Sequence, residues 1–327
     1  MQDVADRVGV SKATVSLVFR KAPGVGDDTR RAVMAAAEEL GYRMNRTAAL
    51  MTARRSHLIG AVAQIRNSFH AEVVESIVAA ADRSGYEIVL GAVTATHGEE
   101  RVIETLQDFR CEGMLLIGPE LDSEVIAKLG ADLPTVVIGR RMTVDSVDVV
   151  RTNDGKGVAG VVDYLVGLGH TRIVHVAGGP GAIAADRRTG FLRALRHHGL
   201  STKDAVVEAE SFTEESGMAA ARDLLMHPLP TAVVCANDRL AVGVLDVFRR
   251  EGIDIPGQVS VTGYDDSVLA RMSNVDLTTV SQQPQSQADH AIDAVVSRLD
   301  GGRTECSAST LIPELVVRTT TAPPRSK

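Results

Sequence analysis

The sequence is poor in cysteine and lacks the residue groupings that accompany metal binding or catalysis. Cys111, Cys235 and Cys306 are scattered through 327 residues without a CxxC pair. We expect them to be free thiols in a reducing cytoplasm, and we expect no metal and no cofactor. No Ser/His/Asp set, metal-ligand cluster or carboxylate pair has a spacing that supports catalysis, which argues against an enzyme.

Membrane-spanning and export signals are also missing. No apolar run reaches the ~20 residues that a membrane helix needs, and the N-terminus lacks the basic-then-apolar pattern of a signal peptide. These absences count against an extracytoplasmic solute-binding protein. With 44 % hydrophobic and 24 % charged residues, the composition is typical of a soluble globular protein, and the length predicts two or three domains.

Positive charge is scarce overall but concentrated at one end. The chain carries a net charge of −7. Residues 1–58, however, contain ten Lys and Arg residues against six Asp and Glu residues, a balance of +4 that leaves −11 for the remainder. A basic end on an acidic body indicates one end that binds phosphates and a body that stays off nucleic acid.

Residues 2–20 predict two short helices joined by a tight corner. Apolar residues recur at helical spacing, at Val4 and Val8 and then at Val15, Val18 and Phe19. Gly9 supplies the positive φ of the corner, and Ser11 stands at the N-cap of the second helix. The outward face of that helix carries Lys12, Ala13, Ser16, Leu17 and Arg20. This layout is typical of a helix-turn-helix that reads the major groove, with a plain helical hairpin as the alternative.

A third helix follows residues 24–30, and here the sequence resembles a known family. The helix has an apolar side at Val33, Ala36, Ala37 and Leu40, and Gly41 ends it. GVSKATVSLVF, followed by PGVGDDTRRAVMAAAEELGYRMNR, is similar to the headpiece of the lactose/galactose repressor (LacI/GalR) family of bacterial transcription regulators, and the similarity continues to the last residues.

The resemblance implies three domains. These are a helix-turn-helix headpiece at 1–43, a hinge at 44–57, and an effector-binding and dimerisation domain at 58–327. The last would contain an N-subdomain, about 58–156 plus 284–311, and a C-subdomain, about 157–283 plus 312–327.

In the headpiece, the resemblance assigns base reading to the start of the second helix. Lys12 would donate to a guanine, and Ala13 would lie against a thymine methyl group. Leu17 stands where many family members have arginine, which predicts a different half-site. Phosphate contacts are expected from Thr14, Ser16, Arg20 and Thr29. One chain reads a half-site, so we expect a homodimer on a pseudo-palindromic operator in double-stranded DNA.

The hinge is predicted from the resemblance to be a helix that orders on operator DNA. A leucine wedges into the minor groove in the family. Met51 holds the matching position here, with Leu50 beside it, and Asn45 and Ala48 complete the expected contacts. A plain flexible tether is the alternative for this segment.

From Leu58 onward, strands and helices alternate. Apolar runs predict strands at 59–63, 88–90, 114–117, 135–138, 173–176, 232–235 and 259–262. Helical stretches are predicted between them at 71–83, 99–109, 158–168, 190–198, 217–225 and 240–250. This alternation predicts an α/β body of two doubly wound parallel-sheet subdomains, and the resemblance implies the periplasmic-binding-protein-like type I fold.

Polar residues after these strands are the expected ligand set. By their family positions, the effector contacts are predicted to be Phe69, His70, Arg187, Phe212, Asn237 and Asp265. Asp238 has the alternative role of capping the following helix. Arginine, carboxylate, amide and aromatic groups together suit a small polyhydroxylated ligand, most simply a sugar, while a nucleobase or another metabolite stays open.

We therefore expect a cytoplasmic, nucleoid-associated repressor whose operator affinity changes when an effector closes the cleft. Two alternatives remain besides the solute-binding protein. The same regulator could be gated by a partner protein. An enzyme on a dinucleotide-binding sheet is disfavoured, because the glycines at 178–181 lack the GxGxxG spacing.

Overall fold

The computed structural model describes residues 1–19, 22–42 and 55–325. The chain divides into two compact units, Met1–Ser56, here called the headpiece, and His57–Lys327, here called the body. None of the described helices is both long enough and apolar enough to cross a bilayer.

The headpiece contains three described helices, α1 (Gln2–Val8), α2 (Lys12–Phe19) and α3 (Asp27–Glu39). Gly9 follows α1 with φ 72°, the left-handed conformation that lets the chain turn sharply. The Ser11 hydroxyl accepts a hydrogen bond from the Thr14 N–H at 3.1 Å, so it caps α2. The predicted corner and cap are both confirmed.

The headpiece core is small and made of short side chains. It is formed by Val4, Ala5, Val15, Val18, Val33, Ala36 and Ala37. Phe19 and Tyr42 close one edge, with ring centroids 5.5 Å apart. Leu40, predicted to belong to the apolar side of α3, is instead 46 % exposed, because α3 ends at Glu39 and the chain turns away at Gly41 (φ 59°).

The body begins with alternating strands and helices. The first part contains β1 (Leu58–Gln64), α4 (Ser68–Arg83), β2 (Glu87–Val93), α5 (Glu99–Asp108), β3 (Gly113–Ile117), α6 (Ser123–Asp132), β4 (Thr135–Ile138) and β5 (Asp148–Thr152). The second part contains α7 (Asp154–Gly167), β6 (Ile173–Ala177), α8 (Ala182–His197), β7 (Val206–Glu208), α9 (Glu214–Leu225), β8 (Ala232–Cys235), α10 (Asp238–Arg250), β9 (Ser260–Thr262) and α11 (Val268–Arg271). The chain then adds β10 (Thr279–Ser281), α12 (Pro284–Leu299), β11 (Ala308–Leu311) and β12 (Glu314–Val316).

Ten of these strands form two parallel sheets, and β10 and β12 form a separate antiparallel pair. One parallel sheet has six strands in the order β11-β5-β4-β3-β1-β2, and the other has four in the order β7-β6-β8-β9. Every residue of β3 and of β4 is buried, as expected for strands covered by helices on both faces of the sheet. The prediction of two doubly wound sheets is confirmed.

The chain crosses between the two sheets at three places. It passes from β5 to α7, from β10 to α12, and from β11 to β12. β12 pairs antiparallel with β10, and the Thr320 hydroxyl donates to the Val261 carbonyl at 2.7 Å, which ties the C-terminal segment to the four-stranded half. The crossings fix the two halves side by side, with the carboxyl ends of both sheets facing a shared space.

Candidate functional site

A cavity of about 640 Å³ lies between the two sheets of the body. Its walls are the segments that follow the carboxyl ends of the strands, where open α/β sheets bind ligands. The six-stranded half contributes the segments after β1, β3 and β4, and the four-stranded half contributes those after β6, β7, β8 and β9. All six predicted effector contacts line this cavity: Phe69, His70, Arg187, Phe212, Asn237 and Asp265.

Arg187 is the most deeply buried cation of the cavity. Only 4 % of its side chain is exposed, and its Nε donates to Asp154 Oδ1 at 2.8 Å. Its Nη1 lies 3.6 Å from Asp265 Oδ1, and its guanidinium carbon lies 3.8 Å above the Tyr264 ring. Burial alone would lower the pKa of Arg187, but Asp154 and Asp265 hold it above its ordinary value. The guanidinium is therefore fixed and charged before any ligand arrives.

Asp265 combines an unusual backbone with a buried carboxyl group. Its φ is 122°, a conformation that costs a non-glycine residue roughly 1–3 kcal/mol and is typical of functional sites. Gln282 Nε2 donates to its Oδ1 at 2.6 Å. Burial raises the pKa of Asp265 far above that of an exposed aspartate, even though Arg187 opposes the shift.

Asn237, and not Asp238, caps α10. The Asn237 Oδ1 accepts from the Leu240 N–H at 2.9 Å, while its Nδ2 donates to the Phe212 carbonyl at 3.2 Å. Asp238 lies behind the cavity wall, where it accepts hydrogen bonds from the Ser267 N–H and hydroxyl group. The capping role considered for Asp238 is thus wrong, and that residue does not face the cavity.

His70 and Phe69 lie in the first turn of α4 and not in a loop, because α4 begins at Ser68. Asn67 caps this helix by accepting from the N–H groups of both residues. His70 Nδ1 accepts from the Gln64 N–H at 3.3 Å, so Nε2 carries the proton. Burial, together with the Arg239 guanidinium, lowers the pKa of His70 to about 4. The imidazole is therefore a neutral hydrogen-bond donor.

Two close approaches shape the walls of the cavity, and both require glycine. A Cβ at Gly178 would lie 2.3 Å from the Phe212 ring, so only glycine lets the ring rest on the end of β6. A Cβ at Gly118, where φ is 55°, would lie 2.9 Å from His70 Nε2. These contacts position one aromatic face and one imidazole edge against a ligand.

The cavity also contains polar residues that the sequence did not single out. Arg239 directly follows the Asn-Asp pair after β8, and Gln282 follows β10; both line the cavity. Gln282 links two segments of the body, because its Oε1 accepts from the Thr152 hydroxyl at 3.0 Å and its Nε2 donates to Asp265. Arg239 follows a predicted strand, so a search for polar residues after predicted strands finds it. The same search does not find Gln282, because the sequence pattern does not predict β10.

The headpiece presents the expected reading residues on its surface. Lys12 and Ala13 are exposed, and 39 % of Leu17 is exposed. Ser16 and Thr29 are half-buried, and the Thr14 hydroxyl lies 2.9 Å from that of Ser11. Four further predicted DNA contacts lie outside the described residues: Arg20, Asn45, Ala48 and Met51.

Comparisons with known proteins match both parts of the chain. Residues 1–45 match the bacterial regulatory proteins of the lacI family, and residues 162–321 match a periplasmic binding protein-like domain. The chain is 30 % identical over 326 residues to the HTH-type transcriptional repressor PurR of Vibrio campbellii, covering 98 % of both proteins. It is 32 % identical over 327 residues to the ribose operon repressor of Escherichia coli K12, covering 97 % of this chain and 98 % of the relative.

Solved structures agree over the same length. The lac repressor dimer bound to operator and the anti-inducer ONPF superposes with a TM-score of 0.84 at 28 % identity, covering 98 % of both chains. A complex of the transcriptional regulator CelR with cellobiose superposes with a TM-score of 0.73 at 30 % identity, also covering 98 % of both chains.

Proposed function

The chain belongs to the LacI family of bacterial regulatory proteins and is a DNA-binding transcriptional repressor controlled by a ligand, not an enzyme; we propose that the ligand is a sugar held in the cavity of the body. The observation that carries this proposal is the buried set of Arg187, Asn237 and Asp265 beside the rings of Phe69 and Phe212. Donors and acceptors of this kind bind hydroxyl groups, and aromatic faces stack on a pyranose or furanose ring.

Size and relatives support the same ligand class. About 640 Å³ is within the ~300–1,000 Å³ range of small-ligand pockets. One similar protein is a ribose operon repressor, and another was solved with cellobiose. His70 adds a neutral N–H donor from the opposite wall, so a hydroxylated ring placed between α4 and α8 meets polar groups on both sides.

On the DNA side, we propose the contacts expected from the sequence. Lys12, Ala13 and Leu17 read bases, and Asn45, Ala48 and Met51 in a hinge at 44–57 approach the minor groove. Phosphates are bound by Thr14, Ser16, Arg20 and Thr29. A headpiece at 1–43 and an effector and dimerisation domain at 58–327 complete the assignment. Two copies form a homodimer on a pseudo-palindromic operator, with the protein held at the nucleoid.

Coupling between effector and operator follows from the arrangement of the crossings. Asp265 lines the cavity, and Gln282 connects it to Thr152 at the end of β5, where the chain crosses between the sheets. A ligand that binds one closure state of the two halves more tightly shifts the population toward that state. Operator affinity then changes by the linked free energy.

The test is a two-stage binding experiment on the full chain. Selection from randomised double-stranded DNA yields an operator, and fluorescence anisotropy then measures its affinity with pentoses, hexoses, disaccharides and purine bases added singly. We expect one sugar to raise the Tm and change the operator Kd at least tenfold. A purine that acts alone would overturn the sugar assignment. Absence of any preferred DNA sequence would overturn the reading role of the headpiece. Response to no small molecule would favour a protein partner.

A further inference from the structure

Every arginine of the cavity already has acidic or carbonyl partners. Three arginines line the cavity, namely Arg140, Arg187 and Arg239, and no lysine does. Arg187 contacts the carboxylates of Asp154 and Asp265, as described above. Such pairing matters for a ligand, because a buried cation that is already neutralised gains little from a second anion.

Arg239 is paired most completely. Its Nε donates to both carboxylate oxygens of Glu214, at 3.0 and 2.9 Å, and its Nη2 donates to Glu214 Oε2 at 2.5 Å. The side chains are 12 % and 30 % exposed, so water screens the pair only partly. Burial opposes ionisation of Glu214, yet the hydrogen bonds from Arg239 hold its pKa below the usual value. Glu214 is therefore charged and cancels the charge of Arg239.

Arg140 is engaged by the segment that follows β3. Its Nη1 donates to the Pro119 carbonyl at 3.2 Å, and its Nη2 donates to the Ser123 hydroxyl at 3.1 Å. Glu99, which interacts electrostatically with Arg140, accepts the N–H of Leu121 from the same segment at 3.0 Å. The guanidinium fixes this wall of the cavity through carbonyl and hydroxyl oxygens, whereas it forms no salt bridge with another described residue and its buried Nε has no hydrogen-bond partner among them.

Further carboxylates face the cavity without an arginine partner of their own. Glu120, Asp122 and Glu210 all line it, and none forms a salt bridge with another described residue. Even with Asp265 protonated, the acidic groups in and behind the walls outnumber the arginines. The carboxylates around the cavity thus outnumber the three cations that line it, although water screens the exposed side chains of Glu120, Asp122 and Glu210.

The helix N-termini that surround the cavity are mostly closed to anions as well. Asn67, Thr213 and Asn237 each cap their own helix with a side-chain oxygen. Among the described helices that start at the cavity, α6, which begins after Asp122, and α8, which begins after Gly181, have no side-chain cap. The Asp122 carboxylate disfavours an anion at the start of α6, and the amides of α8 can donate to a neutral hydroxyl group as well as to an anion.

We infer that Glu214 determines effector specificity by cancelling Arg239, so that the cavity admits an uncharged effector and excludes its phosphorylated or acidic counterparts. This inference rests on the proposed sugar-binding function and narrows it to neutral sugars. Glu214 acts through Arg239 on the charge of the site, and its removal converts Arg239 into a free cation at the cavity wall.

The test replaces Glu214 while keeping the shape of the side chain. Glu214→Gln preserves a hydrogen-bond acceptor for Arg239 but removes the charge. Glu215→Gln, one position along α9 and exposed, is the matched control, because it removes the same charge from the same helix turn. Glu214→Gln combined with Arg239→Gln shows whether any gain depends on the freed arginine. The first probe is inorganic phosphate at constant ionic strength, read as a Tm shift of the full chain.

We expect phosphate to stabilise Glu214→Gln, with an affinity gain of roughly tenfold or more over the wild type. The wild type, Glu215→Gln and the double variant should respond equally weakly. Equal phosphate affinity of Glu214→Gln and the wild type would overturn the inference, because the charge of Glu214 would then not be what prevents Arg239 from binding an anion.

The second probe set pairs neutral and charged sugars, namely ribose with ribose 5-phosphate, glucose with glucose 6-phosphate, and galactose with galacturonate. In the wild type the neutral member of a responding pair should bind at least tenfold more tightly. Tighter binding of the charged member would overturn the inference while leaving a sugar effector in place. If no sugar binds, the sugar proposal fails, but the phosphate experiment still decides the role of Glu214.

Discussion

In the headpiece, the side chains expected to read bases are exposed and lie outside the core, whereas in the body most of those expected to contact the effector are buried and help to stabilise the structure. Lys12 and Ala13 lie on the surface of α2, and the core beneath is made of other residues. Arg187 and Asp265 are 4 % and 5 % exposed and bonded to the protein. Substitutions that change DNA recognition by the headpiece can therefore leave its fold intact, whereas substitutions that change effector recognition by the body also affect the stability of the body.

The difference has an electrostatic origin. A surface residue that contacts DNA exchanges water for phosphate or base, and the free protein needs no internal partner for it. A buried charge must be paired before the ligand arrives, since an unpaired charge in the interior is costly. The ion pairs that stabilise the unliganded body also determine which ligands bind favourably in the cavity. Stability and specificity are therefore coupled in the body and separable in the headpiece.

The largest expected effect is on the body. Arg187→Ala removes a cation from between Asp154 and Asp265 and leaves buried carboxylates without their partner. We expect the free energy of unfolding of the body to fall by roughly 3–5 kcal/mol, and the effector response to be lost. Urea denaturation followed by far-UV circular dichroism measures the first, and operator binding with effector measures the second.

Arg188→Ala serves as the control for this substitution. Arg188 is the next residue on α8, and its partner Glu208 and its own side chain are both at least half exposed, at 61 % and 50 %. Removing it should change the free energy of unfolding by less than about 1 kcal/mol. If Arg187→Ala were as stable as Arg188→Ala, the buried ion pairs would not support the body as described.

A smaller effect should appear in the pH dependence of stability. His175 is fully buried, stacks on Phe191 with centroids 5.0 Å apart, and donates from Nδ1 to the Val234 carbonyl at 2.8 Å. Burial lowers its pKa to about 4. Between pH 6.5 and 4 the unfolded chain therefore binds a proton that the folded protein does not, so this residue makes stability fall as the pH falls, by up to about 3 kcal/mol.

His175→Gln should remove that contribution. The difference in the free energy of unfolding between the wild type and the variant is expected to change across pH 6.5 to 4 and to be flat above pH 7. Taking the difference matters, because the raised pKa of Asp265 acts in the opposite direction: the folded protein retains that proton as the pH rises above 4. His227→Gln, at an exposed position, is the control for the loss of an imidazole from the surface. A constant difference for His175→Gln across this pH range would mean that burial does not lower the pKa of His175 in the folded protein.

The sequence predicted those elements of the fold whose pattern lies within a few consecutive residues. Each of the seven apolar runs, such as 114–117, is a strand, because a buried parallel strand needs a continuous apolar segment. By contrast, β7, β10 and β12 are three residues long, and β10 and β12 exist because they pair with each other, with 36 positions between the paired residues Thr279 and Val316. A local pattern cannot predict a strand whose stability comes from a distant partner.

The same limit applies to the cavity. Arg187, Asn237 and Asp265 follow strands that the pattern revealed, so the sequence placed them at one edge of the sheets. The pairing of Arg239 with Glu214 joins residues on different helices, and no spacing in the chain predicts it. Similarly, the Asn67 cap starts α4 three residues before the predicted position at Ala71, because a side chain bonds to the backbone ahead of the apolar periodicity.

The smallest effect on stability, and the clearest contrast with the body, is expected in the headpiece. Leu17→Arg places a cation at an apolar position on the outward face of α2. We expect a change in the preferred half-site base worth about 1–3 kcal/mol, or roughly fivefold to 150-fold in relative affinity. The free energy of unfolding should stay within about 0.5 kcal/mol of the wild type, and effector affinity should not change. Selection over randomised operators measures the preference.

Met34→Arg is the matched control for that experiment, because Met34 is an exposed apolar residue of α3, 50 % exposed against 39 % for Leu17, and is outside the predicted reading helix. The added charge should tighten binding to all DNA sequences alike, since phosphate attraction carries no base information. A changed base preference in both variants would show that charge alone alters selection. A changed preference in neither would remove Leu17 from the reading surface, and with it the claim that exposed headpiece residues set specificity independently of the fold.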